Sequence, residues 1–376
     1  MSKMLIPSPC YVLEEKKLED NLRLISQVGK KSGVDIILAF KGFAMWKAFP
    51  LIKNYVSGAT ASSLNEVKLC AEHMNTRAHT YCVAYRPEEI DEIISHSSHM
   101  TFNSLAQYKR FGSRAIGAGV SCGLRVNPEY SDVATELYNP SSPNSRLGIL
   151  SGDLGEQLPE GIEGLHAHVL CESDSMATVR LLEAIESKFG QYLHHLKWIN
   201  LGGGHLMTQK GYNTDHLISA LRSFRERYDL EIILEPGSAF AWQIGFLKTT
   251  VLDIVNNGGV QTAVIDGSLT CHMPDTLEMP YRPEIRGASK DALKFPHSYR
   301  IGGVSCLAGD FLEAYSFDQP LEIGQELIFE DMIHYTMVKT TMFNGVHHPS
   351  IGMLDRDGDF HLVRQFDYED YRCRLS

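Results

Sequence analysis

The 376-residue sequence lacks several features that define large classes of proteins. It contains no apolar segment long enough to cross a bilayer, and its N-terminus, MSKMLIPSPC, has no hydrophobic signal region. Its eight cysteines are scattered without a CxxC pair, which argues against a zinc ribbon and against a disulfide framework. These absences argue against export and membrane insertion, and we expect a cytoplasmic protein with reduced thiols.

Positive charge is not in excess either. The sequence has 46 acidic side chains against 35 Lys and Arg, which gives a formal net charge of −11 at pH 7. A charge of this sign disfavours binding to nucleic acids and to anionic membranes. We therefore expect no nucleic-acid partner and no membrane partner, and the composition favours a cationic small molecule as ligand.

Short apolar runs alternate with amphipathic segments of helical period from about Gly33 to Gly237, which is the pattern of repeated βα units. The segments SMATVRLLEAIESKFGQYL and TDHLISALRSFRERY, for example, predict helices. Eight βα units in about two hundred residues predict an α/β fold of the TIM (β/α)8 barrel type, which we place at residues 33–240. The eight predicted strands are Asp35–Lys41, Asn54–Gly58, Ala78–Ala84, His99–Asn103, Cys122–Asn127, Ile162–Val169, Lys197–Leu201 and Glu231–Glu235.

The sequence changes in character after Gly237. Strand-like pieces such as FLKTTVLDIV and HYTMVKTTMF are separated by Gly, Asn and Pro turns. This pattern predicts a second, C-terminal all-β domain with a barrel-like fold at residues 241–376, and we expect the N-terminal residues 1–32 to pack with it. Within the barrel, the irregular segment Pro128–Gly148 is predicted to be a surface excursion, or a lid or rim of the catalytic face.

Polar residues and glycines follow the predicted strands at their C-terminal ends, where the chemistry of TIM barrels takes place. Lys41, in AFKGF, either reaches solvent or points into a site, where a partly desolvated amine becomes a nucleophile. Taken singly, His168 suits a structural histidine, and Glu235 suits an ion pair with Arg125. The full set is Lys41, Gly58–Ser63, Asn103, Arg125, His168, Gly202–Gly204 and Glu235.

One ligand accounts for these residues together. Pyridoxal 5′-phosphate needs a lysine for its aldehyde, backbone N–H groups for its phosphate, a surface for its ring and a partner for its ring nitrogen. Lys41 supplies the amine, the glycines of NLGGGH let several N–H groups approach a phosphate, and His168 can lie against the ring. Glu235 can keep the ring nitrogen protonated, which makes the ring a strong electron sink and favours decarboxylation over racemisation.

The motifs AFKGF, HAHVLCES, NLGGGH, LEPGSAF, SCLAGD and FEDMIHYTMVKTTMFNG extend over nearly the whole chain. In this order they resemble the fold-III, alanine racemase-like decarboxylases that depend on pyridoxal phosphate, the group of the ornithine, arginine and diaminopimelate decarboxylases. The details ELYNPSSPNSRLGI, LEPGSAFA and GGVSCLAGDF are most similar to the branch of this family that decarboxylates carboxynorspermidine or carboxyspermidine. The resemblance implies a carboxy-lyase of polyamine biosynthesis.

The resemblance also implies a role for each site residue. Lys41 is expected to be the Schiff-base lysine, His168 to stack on the cofactor ring, and Glu235 to bind the ring nitrogen. The expected phosphate ligands are Gly202, Gly203, Gly204 and Tyr335, and Arg125 matches a basic residue beneath the cofactor.

Cys306 receives its role from the resemblance alone. It is expected to give a proton to the substrate carbon that has lost its carboxylate, and to reach the site from the partner subunit. The resemblance therefore implies a homodimer with active sites shared between subunits. Without the resemblance, Cys306 is an ordinary buried thiol.

The chain departs from the ornithine decarboxylase pattern at three positions. Ser238 follows EPG where those enzymes commonly have an arginine, Leu307 replaces an aspartate beside the thiol, and Thr60 replaces an acidic residue. These changes argue against ornithine and suit a longer substrate. The two distal ammonium groups of such a substrate need carboxylates, because desolvating an unpaired charge is expensive. The candidates are Asp275, Glu278 and Asp310.

Three other interpretations stay open. A diaminopimelate or ornithine decarboxylase is the nearest rival within the same class. His166 and His168 in HAH suit a metal-dependent barrel hydrolase, although we predict no metal because no further ligands are evident at other strand ends. A protein that binds pyridoxal phosphate without turning over amino acids is the third, and the second domain argues against it.

Overall fold

The computed structural model of the chain describes residues 5–133 and 136–376. The chain divides into two compact units. We call Asn21–Phe240 the barrel unit, and the segment up to Asp20 together with Ala241–Ser376 the sheet unit. The first strand, β1 (Cys10–Glu14), belongs to the sheet unit and leads directly into helix α1 (Glu15–Ser32). No helix of the described residues has the length and hydropathy that a membrane span requires.

The barrel unit contains a parallel sheet whose strands pair in the order β2-β10-β9-β8-β7-β6-β5-β4-β3. Only Ile37 separates β2 from β3, and β2 pairs with β10 whereas β3 pairs with β4, so the two are halves of one strand that closes the barrel. Eight strand positions result, which confirms the predicted (β/α)8 barrel. The strands are β2 (Asp35–Ile36), β3 (Leu38–Ala39), β4 (Ala59–Ala61), β5 (Ala78–Tyr81), β6 (Ser97–Phe102), β7 (Ser121–Arg125), β8 (Ile162–His166), β9 (Trp198–Asn200) and β10 (Glu231–Leu234).

Side-chain caps begin several helices of the barrel unit. Ser63, Ser104 and Asp174 each accept a hydrogen bond from a backbone N–H of the first turn, which satisfies a donor that the helix leaves free. The predicted helices SMATVRLLEAIESKFGQYL and TDHLISALRSFRERY agree with α6 and α7 at both ends. The helices are α2 (Phe49–Ile52), α3 (Leu64–Leu69), α4 (Ile90–His96), α5 (Leu105–Gly117), α6 (Ser175–Leu193), α7 (Thr214–Tyr228) and α8 (Ser238–Ala241).

The predicted strand boundaries differ from the observed ones. The strand predicted at Asn54–Gly58 is wrong, because β4 follows it at Ala59–Ala61, where small buried residues pack without forming an apolar run. Several other predicted strands extend too far at their C-terminal ends. The residues beyond those ends, such as Cys82, Ala167 and Val169, are buried and apolar although they leave the sheet. Hydrophobicity therefore continues past the last paired residue.

Trp198 fills the interior of the barrel near the N-terminal ends of its strands. Gly123 on β7 and Gly164 on β8 make room for the indole, because a Cβ atom at either position would collide with its ring. The indole N–H donates to the Ser121 hydroxyl at 2.8 Å, and the His99 ring lies edge-on to it at 5.4 Å between centroids. The indole thus occupies the barrel interior below the C-terminal ends of the strands.

The sheet unit is built on one mixed sheet in the order β13-β15-β14-β12-β11-β1-β17-β18, with β16 paired to β11. Strand β1 lies in its middle, antiparallel to β11 and parallel to β17. Cys10 and Val12 of β1 pack with Phe246 of β11. The elements are β11 (Gly245–Asn257), β12 (Val260–Ile265), α9 (Leu269–His272), α10 (Pro274–Glu278), β13 (Ala288–Ser289), β14 (His297–Gly302), β15 (Phe311–Phe317), β16 (Glu326–Glu330), β17 (Ser350–Leu354), β18 (Phe360–Arg364) and α11 (Tyr368–Leu375).

Candidate active site

Four candidate side chains of the barrel unit lie at the C-terminal ends of strands. Arg125 is the last residue of β7, Glu235 directly follows β10, and Lys41 and His168 come two residues after β3 and β8. The ends of parallel strands meet at one side of a barrel, so residues far apart in sequence come together there. The contacts between them define the candidate site.

Lys41 and His168 are in direct contact. The Lys41 Nζ atom lies 2.8 Å from His168 Nε2, and the Gly203 N–H donates to His168 Nδ1, also at 2.8 Å. Because Nδ1 accepts a hydrogen bond from the backbone N–H, the neutral imidazole carries its proton on Nε2. That N–H can then donate only to an amine with a free lone pair. The contact therefore requires Lys41 in its neutral, nucleophilic form.

The surroundings of Lys41 favour the same form. The side chain as a whole is exposed, whereas its amine lies among protein atoms, and this loss of solvation lowers the pKa of Lys41 to about 8. The Arg125 guanidinium lowers the pKa further, and the carboxylates of Glu235 and Glu66 oppose the shift. Burial also lowers the pKa of His168 well below its usual range, so its imidazole is neutral. The contact with the neutral His168 ring therefore forms with the neutral fraction of Lys41, which the lowered pKa increases.

Glu235 is a buried carboxyl group held from two sides. Asn200 Nδ2 donates to its Oε1 atom at 2.6 Å, and the Thr60 hydroxyl also hydrogen-bonds to the carboxyl group. The His166 Nε2 atom lies 3.6 Å from Oε2. Burial raises the pKa of Glu235, while the hydrogen bonds from Asn200 and Thr60 lower it. A cationic N–H placed beside this carboxyl group would favour its ionised form.

The triglycine turn after β9 contacts both His168 and the Asn200 side chain that holds Glu235. The Gly202 N–H donates to Asn200 Oδ1 at 2.8 Å, while the Gly203 N–H fixes His168 as described above. The turn therefore orients the imidazole and the amide that holds Glu235. Gly202, Gly203 and Gly204 were all predicted to donate their backbone N–H groups to a phosphate. Those of Gly202 and Gly203 already donate to protein acceptors. Gly204 remains as the phosphate donor that we predict from this turn.

Close packing explains why glycine occupies these positions. Gly202 and Gly204 have φ angles of +69° and +93°, which side chains other than glycine rarely adopt. A Cβ atom at Gly202 would collide with the His168 side chain, and one at Gly204 would collide with the Leu170 backbone. A Cβ atom at Gly203 would lie 2.6 Å from the Glu235 carbonyl oxygen.

Arg125 is buried and links the site to a neighbouring loop. Its guanidinium donates to the His168 carbonyl at 3.1 Å and lies 4.7 Å above the Tyr81 ring. The Tyr81 hydroxyl donates to Asn103 Oδ1 at 2.8 Å, and the same oxygen accepts the Gly148 N–H at 2.9 Å. Asn103 thereby fixes the C-terminal end of the segment predicted to be a lid or rim. Residues 134 and 135 of that segment lie outside the described residues.

Sequence reasoning missed the contributions of Tyr81 and Asn200, and it assigned His166 only to a metal alternative. All three are the last residues of their strands, β5, β9 and β8. The predicted strands extended past these positions, so the three residues counted as strand interior. A more accurate strand boundary would have placed them at the site, because catalytic-face residues follow strand ends.

Cys306, Tyr335 and the predicted substrate carboxylates lie in the sheet unit. Cys306 is exposed, and its N–H donates to Asn344 Oδ1 at 2.8 Å. Asp310 is buried and accepts four hydrogen bonds, from Ser268 Oγ, Ser305 Oγ and the backbone N–H groups of Ser305 and Thr270. Asp310 therefore anchors the loop that carries Cys306.

The other two carboxylates differ in their environments. Glu278 forms an ion pair with Lys339 at the surface. Asp275 is buried, and its Oδ2 atom accepts hydrogen bonds from Tyr281 and Thr336 at 2.6 and 2.8 Å. Tyr335 precedes Thr336, and its ring lies edge-on to the ring of His334.

The metal alternative finds no support in the geometry. Within residues 5–133 and 136–376, no group of three or more His, Cys, Asp or Glu side chains is placed to hold a metal ion. His166 and His168 have ring centroids 6.3 Å apart, and they face different partners, Glu235 and Lys41. The two imidazoles thus have different partners.

The donor set of the barrel unit fits pyridoxal phosphate. An aldehyde requires a neutral amine, which the contact between Lys41 and His168 provides. A basic ring nitrogen requires a buried acidic partner, which Glu235 provides. A planar ring requires a side chain held in a fixed orientation, and the Gly203 N–H holds His168 in this way.

Comparison with known proteins agrees with this fit. Residues 10–333 match the family described as pyridoxal-dependent decarboxylase, C-terminal sheet domain. The chain is 51% identical to carboxyaminopropylagmatine decarboxylase of Synechocystis sp., over 99% of this chain and 96% of that protein. It is 42% identical to carboxynorspermidine/carboxyspermidine decarboxylase of Campylobacter jejuni, over 98% of each chain.

A solved structure shows the same fold. Carboxynorspermidine decarboxylase from Campylobacter jejuni, complexed with norspermidine, superimposes with a TM-score of 0.92 at 41% sequence identity. The match covers 98% of this chain and 100% of that one. Both the barrel and the mixed sheet therefore have counterparts in that structure.

Proposed function

The chain belongs to the pyridoxal-dependent decarboxylases, and from this membership we propose that it decarboxylates carboxynorspermidine or carboxyspermidine, forming norspermidine or spermidine and carbon dioxide. The predictions of the family, of its cofactor and of a carboxy-lyase reaction are confirmed. The relative from Campylobacter jejuni carries both substrates in its name and has been solved with norspermidine. The substitutions Thr60, Ser238 and Leu307 also argue against ornithine.

The contact between Lys41 and His168 is the observation that carries the proposal. When bound, pyridoxal phosphate supplies an electron sink for the electron pair that the departing carboxylate leaves behind. Lys41 lies 2.8 Å from His168, and its pKa of about 8 gives it a far larger neutral fraction near neutral pH than an ordinary lysine has, so it can attack an aldehyde there. His168 keeps one orientation because the Gly203 N–H occupies its other nitrogen.

Glu235 provides the electrostatics of the reaction. Its carboxylate would accept a hydrogen bond from the protonated ring nitrogen of the cofactor and would stabilise the positive charge there. Asn200 and Thr60 hold the carboxyl group in place, so little reorganisation is needed when charge moves toward the ring. We assign Arg125 a supporting role, because its guanidinium lowers the pKa of Lys41 and fixes the His168 carbonyl.

Cys306 is proposed to return a proton to the substrate, from the partner subunit of a homodimer. The thiol is exposed in the single chain, and the neighbouring apolar side chains Val304, Leu307 and Phe343 are 40%, 46% and 46% exposed. Exposed apolar residues around a functional group suit a surface that a second copy covers. Tyr335 and Gly204 are proposed as phosphate ligands.

A cytoplasmic location is proposed from the thiols. All eight cysteines are free, and five of them are buried. Free thiols persist in a reducing compartment, whereas an oxidising one favours disulfides.

Carboxyaminopropylagmatine is a second candidate substrate, favoured by the 51% identity to the enzyme from Synechocystis sp.. It shares the α-amino acid end and the secondary amine with carboxynorspermidine but ends in a guanidinium instead of an ammonium group. The chemistry at Lys41 and Glu235 is the same for both, so only the distal part of the site can distinguish them.

Product formation by the purified protein loaded with pyridoxal phosphate tests the proposal. We expect norspermidine or spermidine from the corresponding carboxylated substrates, and aminopropylagmatine if the second candidate is correct. Ornithine, arginine and meso-diaminopimelate complete the panel. Preference for one of these three amino acids would contradict the proposal of a carboxylated polyamine substrate. If no compound of the panel were converted although the cofactor is bound, the result would support a carrier protein.

A further inference from the structure

His166 is a buried histidine of the barrel unit to which the proposed function assigns no role. Its side chain is 3% exposed, and its Nε2 atom has no hydrogen-bond partner among the described residues. A buried polar atom without a partner is unfavourable, so its presence calls for a reason. The Nε2 atom lies 3.6 Å from Oε2 of Glu235, just beyond hydrogen-bonding distance.

Three adjacent strands of the barrel bring this contact about. His166 ends β8 and Asn200 ends β9, and the two residues are paired in the register of these parallel strands. Glu235 directly follows β10, the next strand of the sheet. The amide and the imidazole therefore approach one carboxyl group from neighbouring strands. Asn200 donates to Oε1 at 2.6 Å, while His166 faces Oε2.

The protonation state of His166 determines which interaction it can make. Burial lowers the pKa of His166 well below its usual range, and Arg125 and Lys41 lower it further. The imidazole is therefore neutral, with one N–H donor and one acceptor nitrogen. Two acceptors repel each other, so Nε2 suits an ionised carboxylate only when it carries the proton. The contact thus favours the tautomer that donates from Nε2.

An ionised Glu235 has room for such a donor. A carboxylate offers about four acceptor positions, and Asn200 and Thr60 occupy two of them. The ring nitrogen of the cofactor is assigned to a third. The distance of 3.6 Å exceeds that of a normal hydrogen bond by about 0.4 Å, so a small rotation of either side chain closes it.

We propose that His166 is a positioning residue for the cofactor, which donates from Nε2 to Oε2 of Glu235 and thereby keeps that carboxylate ionised opposite the ring nitrogen. The inference rests on the proposed role of Glu235. It requires no contact between His166 and the cofactor itself. The effect should therefore depend on the ring nitrogen and on Glu235, and the experiment below removes each of them in turn.

Pyridoxine phosphate is a suitable probe, because it is an alcohol and cannot form an imine with Lys41. Its affinity for the cofactor-free protein, measured by isothermal titration calorimetry, reports the non-covalent contacts alone. We expect His166→Phe to bind it about 10- to 100-fold more weakly, the range for a lost charged hydrogen bond. His166→Gln should recover the affinity to within about threefold, because glutamine keeps an amide N–H donor.

The 1-deaza analogue of the probe has a carbon atom in place of the ring nitrogen. His166→Phe should bind this analogue within about twofold of the unmodified protein, because the contact with Glu235 is absent in both. His205→Leu is the matched control. His205 is also buried, but its Nδ1 lies 3.0 Å from the Thr178 hydroxyl, so its replacement should change the affinity for both probes by the same factor.

Equal losses of both probes in His166→Phe would overturn the proposal, because a purely structural role affects them alike. A loss that persists when His166→Phe is combined with Glu235→Gln would overturn it as well. If His166→Phe does not fold, His166→Asn replaces it, because its amide is too short to reach Oε2. If Glu235→Gln leaves the preference between the two probes unchanged, the proposed role of Glu235 fails, and this inference fails with it.

Discussion

Lowering the pH from about 9 to about 6.5 should slow the capture of pyridoxal phosphate by Lys41 of the cofactor-free protein about 30-fold. This fold-change follows from the pKa of Lys41, which burial, aided by Arg125, lowers from 10.5 to about 8. The neutral fraction of such an amine is about 90% at pH 9 and about 3% at pH 6.5. The capture rate of an ordinary lysine would fall about 300-fold over the same pH interval, and it would not level off within that interval.

Stopped-flow absorbance follows the capture directly, and borohydride reduction with peptide mass spectrometry identifies the modified lysine. Nα-acetyl-lysine, measured alongside, corrects for the titration of pyridoxal phosphate itself. The Lys41 rate should rise tenfold per pH unit at low pH and level off above about pH 8. A rate that still climbs tenfold per unit at pH 9 would refute the claim that the site lowers the pKa of Lys41.

Three further substitutions test the rest of the site. Lys41→Ala should abolish both the absorbance of the covalently held cofactor and product formation, and residual turnover would contradict its role as nucleophile. Glu235→Gln should keep the cofactor bound but slow decarboxylation roughly 100- to 1,000-fold in single-turnover assays, whereas a near-normal rate would contradict its electrostatic role. Gly203→Ala should lower the free energy of unfolding by about 1–3 kcal/mol in denaturant titrations, because its Cβ would lie 2.6 Å from the Glu235 carbonyl. The control Gly190→Ala lies in the last turn of α6, where an added Cβ would meet no atom within 4 Å, and should instead raise it, by up to about 0.5–1 kcal/mol.

The barrel could be predicted from the sequence because its helices carry strong local signals. The Asp174 cap and the apolar period fix α6, and Asn213 caps α7 in the same way. The strands were harder to delimit. Residues such as Cys82 and Val169 are as buried as the strands before them, so hydrophobicity gives no sign of where backbone pairing stops.

The site could be predicted in part. Lys41 and Glu235 stand out as charged residues after apolar runs, and the structure places both at strand ends. The contact of His168 with Lys41 depends on the Gly203 amide, and the position of Glu235 depends on Asn200. Such contacts arise from the barrel closure and leave no periodic pattern. They can be seen only when the strands are assembled.

The position of the Trp198 indole bears on how substrate and products enter and leave the site. Because it fills the barrel interior near the N-terminal ends of the strands, we expect substrate and products to enter and leave at the C-terminal ends. A departing polyamine therefore obstructs the next substrate, and product inhibition should be competitive.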